Sequence, residues 1–287
     1  MQGATLRYTS CSDPDREVFV KAYRGEEGAH AMSTLEALRS ATGGNGSGPS
    51  NFGIVRPLAY CTGPRTLVVE RAPGRPMPDL LTDPAAAERV ARLAARSLHA
   101  FHASDLPCES PWGPAEMLDR VGQAGALITV ACPELTEPVN RIAAALADYP
   151  TGYESRPSQL DPKPDHFFFE DDRVTFIDLD TFASADPAFD AAFMSARTAA
   201  LTETAGVPAE LARAAAEAFL EEYFSVAPPG PAGRFAINHA YALLQLTLYA
   251  VRHQAGGWRE LAAARIGAAL EACALAESQP ECPSQRI

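Results

Sequence analysis

The chain has 287 residues, a formal net charge of −12 and an ordinary apolar fraction with many prolines and alanines. A chain of this length buries a sizeable core and suits one large or two modest domains. Its acidity argues against a nucleic-acid or anionic-membrane partner and leaves small substrates open, cationic ones included.

In chain order, Ala4 to Tyr8 and Glu17 to Tyr23 read as strands joined by the turn formers Ser12-Asp13-Pro14-Asp15. The second strand places Lys21 among apolar neighbours. Glu27 to Ala41 has helical periodicity through Ala31, Leu35 and Leu38, with Glu36 on it. The segment GGNGSGPSN at 43–51 is a loop by composition, and strands follow at Gly53 to Tyr60 and Thr66 to Glu70. Beyond Arg71-Ala72-Pro73-Gly74-Arg75-Pro76 the chain turns to Ala/Leu/Arg helix, beginning at Asp83 to His102 with Asp83 as N-cap and Pro84 in first position. Further helices are predicted over Pro111 to Leu127, Glu137 to Asp148, Pro208 to Phe224, Arg234 to His253 and Trp258 to Glu277. The layout is α+β: a small antiparallel-sheet lobe with one helix over residues 1–74, then a larger, mainly helical lobe over 75–287.

The six cysteines are scattered without a C-x-x-C pair, which suits reduced thiols in the cytoplasm better than a disulfide frame or zinc site. Nothing at the start reads as a signal peptide, and no apolar run is long enough to span a bilayer. Motifs of serine hydrolases, zincins, dinucleotide-binding folds and P-loops are absent. His99 and His102 have no third ligand near them in sequence and read as packing or surface residues.

The chemistry concentrates in Gln159 to Asp190, which holds nine carboxylates around two short apolar runs, Phe167-Phe168-Phe169 and Val174-Thr175-Phe176-Ile177. The polar residues Glu170 to Arg173 between them make this a β-hairpin. Asp161 just precedes the hairpin and Asp178 ends it, so the antiparallel pairing brings both carboxylates to one open end. Such a pair suits phosphoryl transfer, one Asp orienting a hydroxyl and the other holding Mg²⁺ on a nucleotide.

On these residues the chain resembles the aminoglycoside phosphotransferase/choline kinase group of protein-kinase-like folds over nearly its whole length. Gln159-Leu160-Asp161-Pro162-Lys163-Pro164-Asp165-His166 stands where that family has its H-x-D-x-x-x-x-N catalytic loop, and Asp178 where it has its metal Asp. Ala185-Asp186-Pro187-Ala188-Phe189-Asp190 matches the downstream G-D-P-x-x-D signature. The resemblance implies a two-lobed kinase-like fold using ATP, or another NTP, with Mg²⁺. It implies that Lys21 holds nucleotide phosphates with Glu36 as its helix partner, and that the hinge residues Glu70 and Ala72 help bind the cofactor. Asp161 becomes the catalytic base, while Lys163 parallels the lysine of the D-x-K-P-x-N loops of Ser/Thr protein kinases, which neutralises the transferred phosphate, with a surface lysine as the alternative. Asp178 and His166 are the metal residues, although His166 reads somewhat better as a core histidine filling the Asn position. Asp186 and Asp190 take structural roles, as a helix cap and an anchor for the loop.

The chain departs from the family pattern at Gln159, at His166 and in the turn before Lys21, which contains no glycine. Two function classes follow. The first is an ATP/Mg-dependent phosphotransferase acting on a hydroxyl of an aminoglycoside-like or other small metabolite. Glu203, Glu210, Glu217, Glu221 and Glu222 are then candidates to attract a cation. The second is a kinase-like pseudoenzyme, or a peptide Ser/Thr kinase, serving with a partner enzyme in a peptide natural-product pathway.

Overall fold

Strand β2 (Glu17–Ala22), which carries Lys21, is paired on both sides. In the computed structural model, which describes residues 4–13, 17–43, 52–108, 110–149, 152–226 and 232–278, it lies between β1 (Ala4–Thr9) and β5 (Thr66–Glu70). Helix α1 (Glu27–Ala41) covers this sheet, turning Gly28, Ala31, Leu35 and Leu38 inward as its apolar spacing predicts. The glycine-rich loop at 43–51, apart from Gly43, and Pro14-Asp15 of the first turn lie outside the described residues.

The strand predicted from Gly53 to Tyr60 forms as two. β3 (Phe52–Ile54) and β4 (Pro57–Cys61) are separated at Val55-Arg56. Pro57 restricts the residue before it, and the two halves find different partners. β4 joins the first sheet, giving the order β1-β2-β5-β4. β3 runs parallel to β9 (Arg173–Phe176), the second strand of the predicted hairpin, whose first strand is β8 (Phe167–Glu170). On the other side, β6 (Arg75–Pro76) pairs with β8. Both hairpin strands are therefore internal, which is why their sequences are near-continuous apolar runs without alternation. Gly74 makes the β6 contact possible. Its φ is +82°, and a Cβ there would stand 1.9 Å from the Phe169 carbonyl oxygen.

Phe52, Phe101, Phe167 and Phe176 meet with ring centroids 4.8–5.6 Å apart. All four are buried, at about 1.5–3 kcal/mol each for removal from water. Their core also includes Leu35 and Leu38 of α1 and Phe219, so it joins the first sheet to the helical part.

After the short α2 (Met77–Leu80), α3 (Pro84–His102) starts as predicted, with the Asp83 carboxylate capping Ala85 N–H. α4 (Pro114–Ala131) begins later than predicted, because Ser110 to Trp112 are extended and hydrogen-bonded to Ser184 of β10 (Ala183–Ala185). α5 (Thr136–Ala147) precedes β7 (Arg156–Ser158), which pairs with β10. α6 (Pro187–Ala199) is capped by Asp186 and buried on nearly all sides. α7 (Leu201–Ala205), α8 (Ala209–Val226), α9 (Ala232–His253) and α10 (Trp258–Ser278) complete the chain. A second core unites α4, α5, α6, α9 and α10. Among the described residues no helix is long and apolar enough to cross a membrane.

Candidate active site

The loop after β7 is tied down from beneath. Asp190 of α6, fully buried, accepts the backbone N–H groups of Gln159 and Leu160 at 2.6 and 2.9 Å. The Thr181 hydroxyl donates to the Gln159 carbonyl at 2.6 Å. Leu160 adopts φ +62°, which a branched side chain holds only when its surroundings require it. His102 of α3 joins the anchor, with Nε2 3.2 Å from Asp190 and Nδ1 2.8 Å from the Tyr223 hydroxyl. Because an ionised carboxylate only accepts, the Asp190 contact places a proton on Nε2.

From this base Asp161 projects between two cations. Arg197 Nη2 lies 2.6 Å from Oδ1 and Lys163 Nζ 2.7 Å from Oδ2. A 3-10 turn, Pro164–His166, then leads into β8 and turns the buried His166 ring towards Asp178. His166 Nε2 is 3.4 Å from Asp178 Oδ2, while its buried Nδ1 has no partner.

Asp178 follows β9 with φ +56° and is paired with Lys21 through Oδ1. Lys21 also contacts Asp180 Oδ2 at 2.6 Å, and the Tyr23 hydroxyl donates to that oxygen at 2.9 Å. Burial lowers the Lys21 pKa, but Asp178 and Asp180 outweigh it and raise the ammonium above its ordinary value. Burial likewise pushes the Asp178 carboxyl up, while His166 and Lys21 pull harder and hold it below the ordinary carboxylate value. His166 itself is pushed down by burial, against the pull of Asp178.

Lys21, Asp178 and His166 are thus in direct contact, and His166 feels the charges of Asp161 and Lys163. Glu36 is not among them. It is exposed on α1, whose inward face carries no carboxylate, and the counter-ions of Lys21 come from the loop after β9. Helical phase decides this, because Glu36 follows the buried Leu35 by one residue and points away from the sheet. Glu36→Gln is therefore expected to change stability by less than about 0.5 kcal/mol and to leave nucleotide affinity unaltered, as measured by thermal denaturation and calorimetry. A clear loss of affinity would return Glu36 to the site. Glu70 ends β5 with its N–H donated to the Arg56 carbonyl, and Ala72 is buried in the hinge.

The sequence reading missed three participants. Asp180 stands two residues after Asp178, and its place in the I-D-L-D run was the available signal. Arg197 and His102 carried none, since each meets its partner only through helix packing. The glutamates proposed to attract a cation do not gather at Asp161. Glu221 and Glu222 pair with Arg92 and Arg96, Glu203 with Arg265, and Glu217 with Arg213.

Among the described residues no three His, Cys, Asp or Glu side chains form a ready-made metal cluster. Asp178 and Asp180 nonetheless converge on a single cation, the Lys21 ammonium. Hard carboxylate oxygens of this kind suit one Mg²⁺ whose other positions are filled by water and phosphate oxygens. Imidazole is a poorer donor to Mg²⁺, which makes His166 a weak second ligand.

The model of the phosphotransferase enzyme family matches residues 11–233. The chain belongs to that family. Among solved structures the phosphotransferase is similar to choline kinase LicA from Streptococcus pneumoniae, at 16% identity over 96% of this chain and 95% of that one, with a TM-score of 0.58. It is similar to macrolide 2'-phosphotransferase MphH from Brachybacterium faecium, at 19% identity over 93% and 89%, with a TM-score of 0.52. A thermostable mutant of aminoglycoside phosphotransferase APH(4)-Ia shares 14% identity over 98% and 92%, with a TM-score of 0.63. These likenesses establish the two-lobed, protein-kinase-like α+β fold of the phosphotransferase. No curated protein matches its sequence.

Proposed function

We propose that this phosphotransferase moves the γ-phosphoryl group of ATP onto a hydroxyl of a small molecule. The observation that carries the reading is the two-sided arrangement around His166. Lys21, Asp178 and Asp180 form one side, and Asp161 between Lys163 and Arg197 forms the other. Residues 1–74 supply the lysine for the phosphates, and 75–287 supply the loop that meets the acceptor. When bound at Asp178 and Asp180, Mg²⁺ neutralises the charge of the phosphates. Asp161 orients the acceptor hydroxyl and takes its proton as the new O–P bond forms and the bond to ADP breaks. Lys163, on the same carboxylate, stands where it stabilises the transferred group.

A cavity of about 360 Å³ opens beside Lys163 and Arg197, lined further by Leu201, Leu246 and Tyr249. Its charged lining is two cations and Asp165, which disfavours a polycation and suits an acceptor that presents its hydroxyl from a largely apolar body. The described cysteines are all free thiols, in keeping with a reducing, cytoplasmic compartment.

One observation favours the second reading, a kinase-like subunit that serves a partner enzyme. In the turn after β1, Ser10 Oγ accepts from the N–H groups of Ser12 and Asp13 at 3.3 Å each. Those donors are already occupied, where a phosphate-cradling loop would leave them open. Calorimetric titration with ATP separates the two readings. Mg²⁺-dependent binding that weakens about tenfold or more in Asp178→Ala supports the enzyme. No binding at millimolar ATP turns the assignment to the subunit.

A further inference from the structure

A second cavity, of about 290 Å³, lies beside the hinge, where Glu70 lines it, and shares none of the residues Lys21, Asp161, Lys163 or Asp178. Arg39 at the end of α1, Arg56 between β3 and β4, and Arg173 at the start of β9 all line it, with Glu70, Glu170 and Thr175. Local structure aims these guanidinium groups. Arg39 Nη1 donates to the Ile54 carbonyl at 2.6 Å. Arg173 lies across Gly53, where a Cβ would stand 3.2 Å from Nη2, so the missing side chain leaves room for the guanidinium. Arg56 is exposed, and its backbone carbonyl is fixed by Glu70 N–H at 2.9 Å.

The charges are poorly balanced. Burial lowers the Arg39 pKa, and Arg56 and Arg173 lower it further against the pull of Glu70. Among the described residues no carboxylate lies within ion-pair distance of Arg56 or Arg173. Elsewhere Arg92, Arg96, Arg197, Arg234 and Arg265 each have such a partner. Three guanidinium groups against two carboxylates, in a chain of net charge −12, form a local positive centre, in which Arg56 and Arg173 make no ion pair among the described residues. Guanidinium forks converging from different elements match the several acceptor oxygens of a tetrahedral dianion.

We propose that this cavity is a second ligand site, taking the phosphate group of a phosphorylated small molecule. Its lining comes from α1, the hinge and the β8–β9 hairpin, so an occupant ties the first sheet to the catalytic hairpin and stabilises both.

Inorganic phosphate is the probe, with chloride of matched ionic strength as the control. The wild-type chain should gain about 3 °C in Tm at phosphate concentrations well above Kd. Arg56→Gln, on an exposed side chain, should weaken the apparent affinity about tenfold, and Arg56→Glu should abolish the gain. Lys21→Ala should retain it, because the inter-lobe site is not involved. No gain over chloride in the wild type overturns the proposal, as does an undiminished gain in both Arg56 variants. A gain that disappears in Lys21→Ala places the phosphate between the lobes and overturns it too.

Discussion

Replacing Asp161 by Asn is expected to slow phosphoryl transfer about 10³-fold while leaving the fold in place. The substitution keeps the size of the side chain but removes its charge. One of the two atoms now held by Arg197 and Lys163 becomes an amide nitrogen, which donates and faces a cation that also donates. Both cations lose their counter-ion, and the acceptor hydroxyl loses the group that orients it and takes its proton. Asp161 is about one-third exposed, so solvent screens these pairs and the cost in stability stays within about 1 kcal/mol. Release of ADP from ATP, with water or a hydroxylated compound as acceptor, gives the rate, and thermal denaturation gives the stability. A variant that turns over ATP at the wild-type rate would remove Asp161 from the mechanism.

The second large effect is on folding. Asp190→Ala is expected to cost about 3–5 kcal/mol, because two buried N–H groups and His102 lose their acceptor at once. That is a large share of the roughly 5–15 kcal/mol that keeps a typical protein folded. The loss also reaches function, since those N–H bonds hold Leu160 in its left-handed conformation immediately before Asp161. Denaturant unfolding should show a lower midpoint with an unchanged slope. Asp190→Asn should recover only part of the loss, because an amide presents one acceptor atom where two are used. A wild-type midpoint in Asp190→Ala would mean that the loop is held by its own turn and not from α6.

Several features are legible in the amino-acid order alone. The period of Ala31, Leu35 and Leu38, the Asp83-Pro84 start of α3 and the polar Glu170–Arg173 turn are local signals, and each element formed where its signal stood. The order of Lys21, Asp161, Asp178 and Asp190 along those elements made the resemblance to the phosphotransferase family recognisable. Order along a chain does not specify which faces meet. Glu36 has the right residue type on the right helix, and its phase turns it to solvent. Arg197 sits 36 residues after Asp161 and becomes its partner because α6 passes beneath the loop.

Short-range periodicity, turn chemistry and residue type are enough to specify the two-part α+β layout, the hairpin and the carboxylates at its open end. Each of these acts within a few residues, so the chain declares them locally. Tertiary packing alone settles that β3 leaves the first sheet for β9, that Lys21 pairs with Asp178 and Asp180, and that Arg39, Arg56 and Arg173 share one cavity. Each depends on contacts between residues far apart in the chain, where burial of Phe52 among aromatic rings and the pairing of half-buried charges outweigh local preference.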